Sequence, residues 1–122
     1  AIGGRPQLED IYALGVEPQI IADPGNAGAI DVSRSGYLEL TTGGAETRSL
    51  PDPTFRGQVL DIVFIVDGGD CVITGTSPVN QTGNNTITMN DAGDSLELVA
   101  IESGANKRWR VVYNDGCTLS TV

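Results

Sequence analysis

Residues 56–74, RGQVLDIVFIVDGGDCVIT, decide the fold. From Gln58 to Val66 the chain is an almost unbroken run of β-branched and aromatic residues, the composition of a strand, in which successive side chains point to opposite faces. Leu60, Ile62, Phe64 and Val66 share one face. Val59, Asp61, Val63 and Ile65 share the other, which is also mostly apolar and asks for a second layer or another subunit over it. A helix is disfavoured because the run is short, poor in good helix formers and stopped by Asp67-Gly68-Gly69-Asp70. Glycine there supplies the positive φ of a tight hairpin, so Cys71-Val72-Ile73-Thr74 is expected to return antiparallel.

The same grammar continues on both sides. Short strands are expected at residues 29–33, at 37–42 with Leu38 and Leu40 facing one way, and at 46–50, where Pro51-Asp52-Pro53 ends the run. A polar loop over 77–85 leads to a strand at 86–90 with Ile87 and Met89 inward. Asp91-Ala92-Gly93-Asp94 repeats the earlier turn, and residues 95–102 place Leu96, Leu98 and Ala100 on one face. After a turn at Ser103-Gly104-Ala105-Asn106, residues 107–113 set Trp109, Val111 and Tyr113 together and Arg108 and Arg110 opposite them; residues 117–122 form a last short strand or tail. Eight or nine short strands at this spacing predict an all-β domain, an antiparallel β-sandwich, jelly roll or small barrel.

Residues 1–28 read differently. Gly3, Gly4, Pro6, Gly15, Pro18, Pro24 and Gly25 break the segment into a short helical piece over 7–14, an extended piece over 17–22 and a turn at Asp23-Pro24-Gly25-Asn26. It is expected to be an N-terminal arm ordered by a partner or sister subunit, with residues 29–122 as the β-sandwich domain. A loosely packed edge of the domain is the alternative.

Composition narrows the function classes. The chain has 122 residues, enough for one core, and a formal charge of -9, which disfavours nucleic acid and anionic membranes as partners. It has no histidine, the commonest general base and zinc ligand. Cys71 and Cys117 lack metal or redox spacing and are expected to be free thiols, a disulfide being conceivable if their strands are neighbours. No apolar run approaches the ~20 residues of a membrane span, and no leader is evident. The start at Ala1 fits removal of an initiator methionine and synthesis in the cytoplasm.

Few constellations carry chemistry. Asp67/Asp70 and Asp91/Asp94 put paired carboxylates in turns, where calcium can bind, but such turns favour these residues for backbone reasons alone. No cofactor, metal or catalytic activity is expected. Lys107, Arg108 and Arg110 form the one basic cluster, suited to an acidic partner, to intersubunit ion pairs with Glu97, Glu102 or Asp94, or to cross-strand pairs within the chain. Trp109 sits at the centre of an apolar alternation and is assigned to the core rather than to sugar stacking.

Leu50-Pro51-Asp52-Pro53-Thr54-Phe55-Arg56-Gly57-Gln58, Asn80-Gln81-Thr82-Gly83-Asn84-Asn85-Thr86-Ile87-Thr88, Asp91-Ala92-Gly93-Asp94 and Trp109-Arg110-Val111-Val112-Tyr113-Asn114-Asp115-Gly116 together resemble a pattern carried by small virion proteins of tailed bacteriophages, the capsid cement (decoration) proteins and tail-fibre modules. The resemblance covers residues 37–116 and consists of scaffold positions. Similarity to cement proteins implies a homo-oligomer, a trimer or dimer, bound outside the head on the major capsid protein and strengthening it. The arm lies outside the matched region. Contacts to capsid or sister subunit are expected from Ile2, Arg5, Leu8, Ile11, Tyr12, Ile20 and Ile21 in the arm and from Lys107, Arg108 and Arg110 in the domain. The alternative is a tail-fibre or receptor-binding module that recognises glycans.

Overall fold

The computed structural model describes residues 19–122. Ile2, Arg5, Leu8, Ile11 and Tyr12, the helical piece over 7–14 and most of the expected arm lie outside the described residues. The rest is all-β and forms a sandwich of two mixed five-stranded sheets. The strands are β1 (Ile20–Ile21), β2 (Gly28–Ala29), β3 (Gly36–Thr41), β4 (Glu46–Leu50), β5 (Val59–Val66), β6 (Cys71–Gly75), β7 (Thr86–Met89), β8 (Ser95–Ser103), β9 (Asn106–Asp115) and β10 (Thr118–Ser120). Sheet A runs β1-β3-β5-β8-β9 and sheet B runs β10-β7-β6-β4-β2.

The chain alternates between the sheets for its first six strands, so β1, β3 and β5 pair in parallel, as do β2, β4 and β6. This is a three-coil winding, to which β7, β8, β9 and β10 add antiparallel strands. The expected antiparallel sandwich is therefore a mixed one. The expected hairpin at Asp67-Gly68-Gly69-Asp70 is a corner between sheets, with β5 in A and β6 in B. Neither Gly68 nor Gly69 is among the glycines with positive φ, the backbone state that a primed hairpin turn requires.

Those glycines serve close approach instead. A Cβ on Gly68 would strike the Thr42 carbonyl oxygen, and one on Gly69 would strike the backbone of Gly44 and Ala45, because each corner lies directly on the corner of the preceding coil. Thr42 joins them: its Oγ1 donates to the Gly69 carbonyl at 2.6 Å and accepts from the Gly68 N–H at 3.1 Å. The Glu46 N–H donates to the Asp70 carbonyl at 2.9 Å. The true two-residue hairpin is Gly104-Ala105 between β8 and β9, where Gly104 has φ 63°.

The first corner extends the domain towards the N-terminus. Asp23 accepts from the Thr41 N–H at 3.0 Å, Asn26 from the Thr47 N–H at 3.1 Å, and Asp23 pairs with Arg48 of β4 at 2.8 Å. Residues 20–28, placed in the expected arm, thus pair with the sandwich. The expected strand at 29–33 shrinks to β2, after which Ile30 enters the core.

One apolar core lies between the sheets, filled by Leu38 and Leu40, Leu60, Ile62 and Phe64, Ile73, Ile87 and Met89, Leu96 and Leu98, and Trp109. Ile21 is only 1% exposed and belongs to it, which removes Ile21 from the contacts expected of the arm. Two irregularities break the expected alternation. Between Leu40 and Thr41 the pairing steps from Phe64 to Val66, so Val66 leaves the core face and is exposed. Between Glu97 and Leu98 it skips Val112, and Tyr113 turns away from Trp109 and Val111 to the outer face.

Candidate functional site

The quoted motifs of the sequence are built into the scaffold. Buried Gln58 accepts from the N–H of Thr54 at 2.8 Å and of Phe55 at 3.3 Å, and its amide donates to the carbonyls of Val32 at 2.7 Å and Arg34 at 3.0 Å. Trp109 is 2% exposed and its Nε1 donates to the Pro51 carbonyl at 2.9 Å, which bears out the core assignment. Asn80 accepts from the N–H groups of Gly83 and Asn84, both at 2.9 Å, closing the polar loop. Asp94 accepts from the N–H groups of Asn90 and Asp91 and is 8% exposed, so it fixes a corner and is no partner for the basic cluster.

Among the described residues the surface that stands out is the outer face of sheet A. Strand register lines up Ile20, Tyr37, Asp61, Glu97 and Tyr113 in one row across all five strands. They line a shallow groove of about 410 Å³ together with Val63 and Ser95, Ile20 standing at the sheet edge outside it. Asp61 and Glu97 face each other directly on antiparallel strands, an arrangement unfavourable for like charges. Burial, then the hydrogen bond and charge of Glu97, push the Asp61 carboxyl up to about 6. The Tyr37 hydroxyl donates to Glu39 Oε2 at 2.8 Å, and that bond holds its proton above the usual phenol range.

The Asp61 and Glu97 carboxyls, flanked by Tyr37 and Tyr113, have the chemistry to accept a cationic group through charge-assisted hydrogen bonds and cation–π contact.

Successive rows of the face differ in charge. Below the Asp61 row, Val59, Val99 and Arg110 are in register, and below them Ile101 and Arg108; above it lie Glu39, Val63, Ser95 and Asp115. The basic cluster of the sequence is thereby divided. By register Arg108 and Arg110 fall on this face at its β9 edge, where Arg110 Nη1 donates to the Pro78 carbonyl at 3.3 Å and Arg108 lines a second pocket with Asp52, Thr54, Ser77 and Lys107; Lys107 has the opposite parity and pairs across the hairpin with Glu102 at 3.8 Å. Ile20 is 68% exposed at the sheet edge.

Sheet B presents a different face. Thr47, Val72, Thr88 and Thr118 form one registered row and Ser49, Thr74, Thr86 and Ser120 the next, with no charged side chain in either, though Thr86 is buried. No group of three or more metal-ligating side chains occurs among the described residues. Both cysteines are free; burial pushes the Cys117 thiol up to about 12.

The Asp61–Glu97 pair and the place of Tyr113 are not evident from sequence. The available signal was Asp61 as the single charge in an apolar strand; its partner depends on register, and Tyr113 on a bulge. No protein-family model matches the chain, and no curated protein matches it.

Proposed function

We infer that the chain is a structural binding module of a virion, a capsid cement protein that attaches outside the head and strengthens the major capsid protein lattice. The observation that carries this reading is a sandwich with two outer faces of different chemistry: charged and apolar rows on sheet A and uncharged, hydroxyl-bearing rows on sheet B. A cement molecule must meet both the lattice and its neighbours, and two opposed faces of different chemistry suit that task. Many weak attachments over a lattice sum to firm binding without a deep pocket. Rigidity supports the reading too, because no buried side-chain nitrogen or oxygen among the described residues lacks a hydrogen-bond partner.

The glycan-binding alternative draws on Tyr37 and Tyr113, which flank the acid pair in the groove, and no longer on Trp109. Calorimetry of empty heads of the cognate capsid protein, with and without the chain, separates the two. A cement protein raises the temperature at which the heads melt. Unchanged melting at saturating protein, together with binding to host-cell glycans, would overturn the capsid reading.

A further inference from the structure

We propose that the outer face of sheet A docks on the same face of a second copy of this chain, about a two-fold axis that lies between the faces and runs across the strands. The proposal goes beyond the capsid reading and holds whether or not the chain binds a head.

Charge complementarity selects both the occupant and its orientation. The face is polarised along its strands, with Arg108 and Arg110 in the two lower rows and Asp61, Glu97, Glu39 and Asp115 in the two upper rows. A two-fold interface is isologous, so the face must be complementary to itself. Rotation about an axis across the strands keeps β9 over β9 and reverses its direction. With the axis midway between the second and third rows, Arg110 of each copy comes over Tyr113 and beside Glu97 of the other, and Arg108 comes over Asp115. Rotation about an axis along the strands would instead keep every row over its own counterpart, basic rows over basic rows and acidic rows over acidic rows, so the same charges disfavour the other two-fold packing.

The chemistry and the size of the face agree with this. Glu97 already shares its surroundings with the Asp61 carboxyl, and a guanidinium from outside relieves that crowding while it lies on the Tyr113 ring. Val59, Val63, Val99 and Ile101 fill the space between the charges. Five strands at a spacing of about 4.8 Å and some eight residues at about 3.3 Å each give a face of roughly 24 by 26 Å. That product, roughly 620 Å², is an upper bound because β1 has two residues and β3 six, and it lies at the low end of the ~600–1,000 Å² per partner of a standard stable interface.

The experiment is sedimentation velocity on the full chain, on the double variants R108E/R110E and E97R/D115R, and on their equimolar mixture. The wild type is expected at twice its 12.7 kDa mass. Each variant alone is expected to be monomeric at the same concentration, its dissociation constant raised roughly 100-fold or more. The mixture is expected to regain the dimer, because the altered faces complement each other, and that recovery also shows both variants folded. A wild-type trimer, a wild-type dimer that both reversals leave intact, or a mixture that stays monomeric overturns the proposal. So does a monomer that pairs only after residues 1–18 are removed, which would make that segment the occupant of the face.

Discussion

Arg48 is buried between the sheets with its side chain 0% exposed, yet each of its five N–H donors has an acceptor. Nε and Nη2 meet the two oxygens of Asp23 at 2.8 and 3.2 Å, Nη1 meets Glu46 at 3.0 Å and the Thr47 carbonyl at 3.0 Å, and Nη2 also reaches the Thr41 carbonyl at 3.2 Å. Replacing one member of a buried charge pair strands the other. Arg48→Met is therefore expected to lower stability by about 3–5 kcal/mol in urea denaturation. Two carboxyls then set opposite pH responses. Burial would raise the Asp23 carboxyl, but hydrogen bonds from Arg48, Gly25 and Thr41 outweigh it and hold the group below its ordinary value of 3.8, so its contribution is present above that pH and is lost in more acid solution. Asp61 stands above its ordinary value, so stability is greatest below about pH 4 on its account and falls as pH rises through about 6. In dilute solution, where the monomer prevails, Asp61→Asn is expected to flatten that fall and to add on the order of 1 kcal/mol at pH 8, solvent screening allowed for. A pH series of urea melts checks both directions, and an unchanged slope between pH 4 and 7 would contradict the account of Asp61.

Among the elements, the corners decide the topology. At Gly69 a methyl group would meet the backbone of Gly44 and Ala45, which cannot step aside as the tip of a side chain can. Gly69→Ala is expected to cost about 2–3 kcal/mol. At Gly44, which has open space for a Cβ, the same substitution is expected to fall within about 0.5 kcal/mol. Equal effects at the two sites, read from thermal or urea melts, would argue against stacked corners. This contrast also shows how much could be read from the sequence. Strands β3 to β9 were legible within one or two residues, because alternation and turn residues mark where a strand starts and stops. Their assignment to sheets was not, since a strand, a Gly-Gly turn and a second strand read alike whether the chain folds back or crosses over. The signals for crossing were present at β5, apolar on both faces as parallel strands tend to be, and in the pair Gly43-Gly44 recurring as Gly68-Gly69. The row Tyr37, Asp61, Glu97, Tyr113 was beyond reach, because it depends on three registers and on the bulge at Val112.

For the whole molecule, attachment and self-association are divided, on the proposed reading, between the two faces. If sheet A meets a sister copy, sheet B is left for the lattice, and its uncharged rows tolerate a charge poorly when pressed against another surface. Thr74→Lys with Thr88→Lys is expected to weaken attachment to heads at least about tenfold while the sedimentation of the free protein stays unchanged. No helix among the described residues is long and apolar enough to cross a membrane. The most direct measurement of the central claim is co-sedimentation of the full chain with empty heads of its cognate capsid protein over a range of concentrations. The account predicts binding that saturates at a fixed number of copies per capsomer. Pelleting that never saturates, or binding to host cells with none to heads, would contradict it.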